Sequence, residues 1–98
     1  MIKRYSRLPK ELFAVFFDGS RNSVDDAYEL IGSMIVNLKD YIEEPKRFYG
    51  YAKANGLQLK IGSDYRTVPV GFYITRDNSW NVRIYERSEF ESDFKVKE

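Results

Sequence analysis

The carboxylates of this chain come in close groups: Asp25-Asp26, Glu43-Glu44, and Glu86, Glu89 and Glu91 with Asp93. Paired carboxylates run general acid–base chemistry when burial splits their pKa values. Each group here falls at an expected helix start or in a tail of mixed charge, where a cap or a solvated surface accounts for it. Asp18-Gly19-Ser20 offers a hydroxyl nucleophile, but such a serine needs an activating base. The sequence contains no histidine. Ser6 and Lys10 stand one position too far apart for a Ser-x-x-Lys pair. The glycines, at 19, 32, 50, 56, 62 and 71, form neither a phosphate-cradling loop nor a dinucleotide fingerprint. The carboxylates show no spacing of a calcium or magnesium loop. These residues predict a protein that is not an enzyme and that holds no cofactor or metal.

Binding chemistry is better represented. Basic and aromatic residues interleave at Lys3, Arg4, Tyr5 and Arg7, and again at Lys46, Arg47, Phe48, Tyr49, Tyr51 and Lys53. Tyrosine and arginine stack on unpaired bases, and they are also favoured anchors of protein interfaces. Core aromatics with a solvated basic rim are the plainer alternative. Eight tyrosines are more than a 98-residue core readily buries with every hydroxyl satisfied. Lys46, Arg47, Tyr49, Tyr51 and Lys53 are therefore the expected partner-binding residues, with Arg4 and Arg7 as a second basic group.

Composition narrows the partner. Sixteen basic residues against fifteen acidic give a net charge of +1. A DNA mimic should be strongly acidic, and a non-specific nucleic-acid binder strongly basic, because phosphate neutralisation supplies its affinity. The apolar share of 43% and aromatic share of 16% supply a core for one domain over residues 1–98. There is no cysteine, which fits a reducing compartment. No apolar run approaches a membrane span. The apolar run after the basic N-terminus is too short for a signal peptide. The expectation is a cytoplasmic protein.

The elements that position these residues follow from periodicity. Residues 1–10 hold Lys3, Arg4, Arg7 and Lys10 without an acid, and Pro9 limits pairing, so they read as a basic arm or an edge segment. Residues 11–17 read as a central strand, apolar on both faces. Ser23 opens a helix, and Val24, Ala27, Tyr28, Ile31, Met34 and Ile35 form its apolar face. Asn37 to Glu43 reads as a polar link. A second helix starts at Pro45 and stops at Asn55-Gly56. Leu57, Leu59 and Ile61 alternate as a strand, as do Val68, Val70, Phe72 and Ile74. A loop at Asp77-Asn78-Ser79 then returns the chain through Trp80, Val82 and Ile84. Phe90 and Phe94 close the chain in a short helical turn that Ser88 can cap. The predicted class is α+β in the order β-α-α-β-β-β, a mostly antiparallel sheet of about four strands with helices on one face.

Two stretches carry a resemblance. Tyr5, Pro9, Ala14, Phe17, Asp18 and Gly19 near the start, and Gly71, Tyr73, Ile74, Phe90 and Phe94 near the end, resemble the terminal signatures of a family of small bacteriophage-encoded accessory proteins of undetermined function. Val70 stands where that pattern has proline and Phe72 where it has an acid. Residues 36–56 match no part of it. The resemblance implies a non-enzymatic protein that binds and modulates or inhibits a bacterial host protein, in the manner of host-takeover, anti-defence or anti-CRISPR proteins. The other readings are a nucleic-acid binder using the basic segment and the aromatic helix, and a small self-assembling virion or structural component.

Overall fold

A computed structural model describes residues 2–7 and 10–96. The α+β class is as expected, with a mostly antiparallel sheet. The chain runs β1 (Lys3–Arg7), β2 (Lys10–Phe17), α1 (Arg21–Ile31), a 3-10 turn at Gly32–Met34, α2 (Leu38–Glu43), α3 (Pro45–Asn55), β3 (Leu57–Ile61), β4 (Asp64–Val68), β5 (Phe72–Arg76), β6 (Val82–Glu86), α4 (Arg87–Asp93) and β7 (Lys95–Val96). Two sheets form: a five-stranded sheet in the order β6-β5-β2-β1-β7, and a separate β3–β4 hairpin.

β2 is the centre because both its faces are apolar. Phe13, Val15 and Phe17 face one side, and Leu12, Ala14 and Phe16 the other. On the first side, α1 buries Val24, Ala27, Leu30 and Ile31, α3 adds Ala52, and the hairpin adds Leu57, Leu59 and Val68. Each of these valine, leucine and isoleucine side chains contributes about 1.5–3 kcal/mol, and each alanine methyl about 0.8 kcal/mol. On the second side, Phe90 of α4 and Phe94 just after it lie over Leu12, Ala14 and Tyr73. Helices thus cover both faces where one was expected: α1 and α3 pack on the first side, and the short C-terminal helix covers the second.

The basic opening segment is a strand rather than a free arm. β1 pairs with β2 from Lys3 to Arg7 and with β7 at Tyr5 and Ser6. Pro9 lies outside the described residues.

The helix after the first turn starts earlier than Ser23. Ser20 is its cap: the Ser23 N–H donates to Ser20 Oγ at 3.1 Å, and Ser23 Oγ donates back to the Ser20 carbonyl at 2.8 Å. Both serines are cap-forming types, and the pair shares the task. The helix stops at Ile31, where the chain tightens into the 3-10 turn. Arg76 reaches that end, its Nε donating to the Leu30 carbonyl at 2.9 Å. A cation there complements the helix dipole. The guanidinium lies over the ring of Trp80 at 4.3 Å and over that of Phe13 at 5.1 Å.

The predicted strand through Val68, Val70, Phe72 and Ile74 is two strands. Pro69 and Gly71 break it, Gly71 adopts φ +97, and its N–H donates to the Phe17 carbonyl at 2.7 Å. Trp80 lies in the β5–β6 loop rather than in β6. Asp77 organises that loop by accepting from the N–H groups of Ser79 and Asn81 and from Asn81 Nδ2. The capping position of α4 is Glu86, not Ser88.

Candidate functional site

The residues expected to bind a partner sit on α3 and on β1. On α3, Arg47 and Tyr51 are four apart and share one stripe, and Lys46 and Lys53 are seven apart and share another. Ala52 turns inward between them, with Phe48 and Tyr49 half-buried beside it. The structure therefore brings Arg47 together with Tyr51 and puts Lys46 and Lys53 on the other flank. Arg4 and Arg7 belong to β1, whose partners are β2 and β7. Arg4 is exposed.

Arg47 and Tyr51 stand at the mouth of a cleft of about 210 Å³ between α2, α3 and the start of β3. Val36, Phe48, Ala52 and Leu57 line it with apolar surface, and Asn37, Asp40 and Gln58 add polar groups. Sites for drug-sized ligands usually run from about 300 to 1,000 Å³. This cleft is below that range and suits a single inserted side chain. Tyr51 is 57% exposed. Arg47 pairs with Glu44 at 3.3 Å, both well exposed, so the pair adds little stability and leaves the guanidinium available.

Two backbone features shape the cleft. Asn37 adopts φ +64, a left-handed conformation that asparagine tolerates, and turns the chain into α2. Gly56 adopts φ +87, and a Cβ placed there would lie 2.7 Å from the Val68 carbonyl oxygen. Only glycine lets α3 end this close to β4. Gly56→Ala is expected to cost about 1–3 kcal/mol from the backbone conformation alone. Urea denaturation checks this; a loss below about 0.5 kcal/mol would mean that the junction is not this tight.

Behind the α3 face lies an aromatic cluster that the sequence reading missed. Tyr41 packs on Tyr28, Phe48 and Tyr49, with ring centroids 4.9, 5.3 and 6.1 Å away. The hydroxyls of Tyr41 and Tyr49 both donate to Asp25 Oδ1, at 2.7 and 2.6 Å. Arg21 lies over the Tyr49 ring at 5.4 Å. Burial first, then the hydrogen bond to Asp25 and its charge, pushes the Tyr41 hydroxyl well above the ordinary tyrosine range. For Tyr49 the hydrogen bond to Asp25 is the leading cause of the same upward shift. Both hydroxyls are held protonated, as donors, so neither suits the role of a base. The available signal was Leu38, Tyr41 and Ile42, spaced as one face of a helix inside the stretch read as a link.

The other candidate chemistry is absorbed locally. Hydrogen bonds from Ser20, its hydroxyl first and then its N–H, hold the Asp18 carboxyl below its ordinary range. Ser20 Oγ serves as the helix cap. Ser92-Asp-Phe-Lys95 has the Ser-x-x-Lys spacing, which the sequence reading passed over. Ser92 is exposed at the end of α4, and its hydroxyl donates to the Glu89 carbonyl at 3.1 Å. Among the described residues, no group of three or more acidic side chains is placed to hold a metal ion, and no helix is long and apolar enough to cross a membrane. Compared with known proteins, the chain matches no family model, no curated protein and no solved structure.

Proposed function

We propose that this chain is a non-enzymatic binding protein that engages a bacterial host protein and modulates or inhibits it. The observation that carries this reading is the cleft of about 210 Å³ with an apolar floor and with Arg47 and exposed Tyr51 at its mouth. An apolar anchor from a partner fills such a cleft, and arginine and tyrosine at its rim are the residue types that dominate interface energies. The choice of a bacterial target rests on the phage-like pattern of Tyr5, Pro9, Asp18, Gly19, Tyr73 and Phe90. Nucleic acid is the second reading. The carboxylates of Asp40 and Glu44 on this face weigh against it, because they repel phosphate, and Lys46 and Lys53 do not share a stripe with Arg47.

The test is a pull-down with tagged protein from nuclease-treated bacterial lysate, followed by affinity measurement on the captured protein. One stoichiometric protein is expected to survive nuclease. Arg47→Ala and Tyr51→Ala are each expected to weaken it by about 1–2 kcal/mol, or roughly 5- to 30-fold. Affinities unchanged within about 0.5 kcal/mol would remove the face from the proposal, since hot spots cost more than this. Loss of every partner on nuclease treatment would favour nucleic acid.

A further inference from the structure

β6 is an edge strand, and among the described residues nothing pairs with its outer side. The direction of its backbone groups follows from the β5–β6 register. Antiparallel pairs alternate between hydrogen-bonded and non-hydrogen-bonded. The Asp77 N–H donates to the Asn81 carbonyl, which makes that pair hydrogen-bonded. The register continues through Arg76↔Val82, Thr75↔Arg83, Ile74↔Ile84, Tyr73↔Tyr85 and Phe72↔Glu86. Arg83 and Tyr85 therefore spend their backbone groups on β5. The N–H and C=O groups of Val82, Ile84 and Glu86 point outward, away from the sheet.

The side chains of β6 select a partner for this edge. Val82 and Ile84 pack on the first core face, and Tyr85 packs on the second. A strand added across a two-fold axis keeps the apolar faces continuous only if even positions meet even and odd meet odd. Centring the axis on Arg83 sets two copies of Arg83 opposite each other. Centring it on Tyr85 carries Val82 and Arg83 past the end of the partner strand, because β6 stops at Glu86 and α4 begins at Arg87, and sets the Arg83 charge beside that of Arg87. Like charges directly opposite are destabilising, which disfavours the first register, and the second forfeits part of the pairing as well. Centring it on Ile84 sets Ile84 against Ile84, Val82 against Glu86, and Arg83 against Tyr85, an arginine over an aromatic ring. In that register the outward groups of Val82, Ile84 and Glu86 meet their counterparts, and each pair exchanges both of its N–H···O bonds. A groove of about 400 Å³ runs along β6, bounded by Ile61, Asp64 and Arg66 of the hairpin and Glu89 of α4, and leaves the strand accessible.

We infer that β6 is a homodimerisation edge, taking β6 of a second copy antiparallel about Ile84 to make one continuous sheet. This edge lies by the tip of the β3–β4 hairpin, whereas the α2–α3 cleft uses the start of β3. The inference stands independently of the partner proposed for that cleft.

Glu86→Pro separates this pairing from the fold. Glu86 has φ −63 and ψ 147, values proline adopts without strain, and its side chain is exposed. Its N–H points outward, so β5 loses no hydrogen bond, while the dimer loses a donor and meets the proline ring. Light scattering over a dilution series is expected to read twice the monomer mass at high concentration. Glu86→Pro is expected to read monomer mass throughout, with an unchanged circular dichroism spectrum. The register has its own readout. Across the axis, the Cα atoms at position 84 sit about 5.5 Å apart, inside the roughly 4.4–6.8 Å range of a disulfide. Those at position 86 are out of register by roughly 14 Å along the strand. Oxidation should therefore crosslink Ile84→Cys and leave Glu86→Cys monomeric on a denaturing gel. A wild-type protein that stays monomeric at millimolar concentration overturns the inference, as does a dimer that survives Glu86→Pro.

Discussion

Phe90→Ala is expected to remove about 3–5 kcal/mol of stability, the usual cost of emptying a fully buried aromatic site. Phe90 is completely buried. Its ring stacks on Tyr73 at 4.2 Å and on Phe94 at 4.7 Å, with Tyr85 at 5.7 Å. This small cluster holds α4 on the second face of the sheet, and α1 and α3 lie on the other side and cannot compensate. The loss is a large part of the roughly 5–15 kcal/mol that stabilises a domain. At about 4–8 °C per kcal/mol for a domain of this size, the melting transition should fall by at least about 10 °C. Thermal and urea denaturation read the effect. A cost below about 1 kcal/mol would mean that α4 does not seal this face. An exposed surface change such as Ser92→Ala should stay within about 0.5 kcal/mol.

That second face was legible in part. β2 carries apolar residues at consecutive positions, which identifies a strand buried on both sides and therefore central. The same pattern implies that both faces need a cover, and Phe90 and Phe94 are the side chains that supply one. Which side of a sheet a terminal helix takes is not written in its own periodicity, so the pattern predicts only a single helix-covered face. Local chemistry was legible where one residue type dominates. Pro45 starts α3 and Gly56 ends it, as expected from a fixed φ and a left-handed stop. Local chemistry misled where two candidates compete. Ser20 and Ser23 both suit a cap, and the alternation from Val68 to Ile74 hid a turn that Pro69 and Gly71 had announced.

The candidate site divides the same way. Arg47 and Tyr51 lie on one helix four positions apart, so their shared stripe is a property of the sequence. The cleft they guard is not, because its far wall comes from Asn37, Asp40 and Gln58 on other elements. Asp25 is 16 positions from Tyr41 and 24 from Tyr49, and no local pattern joins them. Long-range polar contacts of this kind appear only once α1 has docked against α2 and α3.

Because one Asp25 oxygen accepts from a tyrosine on each of α2 and α3, it clamps both helices to α1, and the clamp has an alkaline limit. Asp25→Ala is expected to cost about 2–3 kcal/mol near pH 8. Hydrogen bonds to charged groups contribute about 1.5–3 kcal/mol each, and water near the surface recovers part of two such bonds. The pH dependence follows from the direction of the tyrosine shifts. Both hydroxyls have folded-state pKa values raised above the unfolded value of about 10. Their contribution is fully present below about pH 10 and is lost as pH rises through the folded values, because the unfolded chain releases these protons first. The stability gap between wild type and the double variant Tyr41→Phe, Tyr49→Phe should therefore be widest near pH 8 and narrow steadily above pH 10. Urea midpoints measured from about pH 8 to 11.5 give both curves, and the difference between them cancels the tyrosines the variants share. A gap that holds constant across this range would show that the two hydroxyls do not clamp the helices through Asp25. A narrowing gap would place the surface that presents Arg47 and Tyr51 under the control of a single carboxylate, so Asp25→Ala should also weaken partner binding although Asp25 lies outside the lining of the cleft.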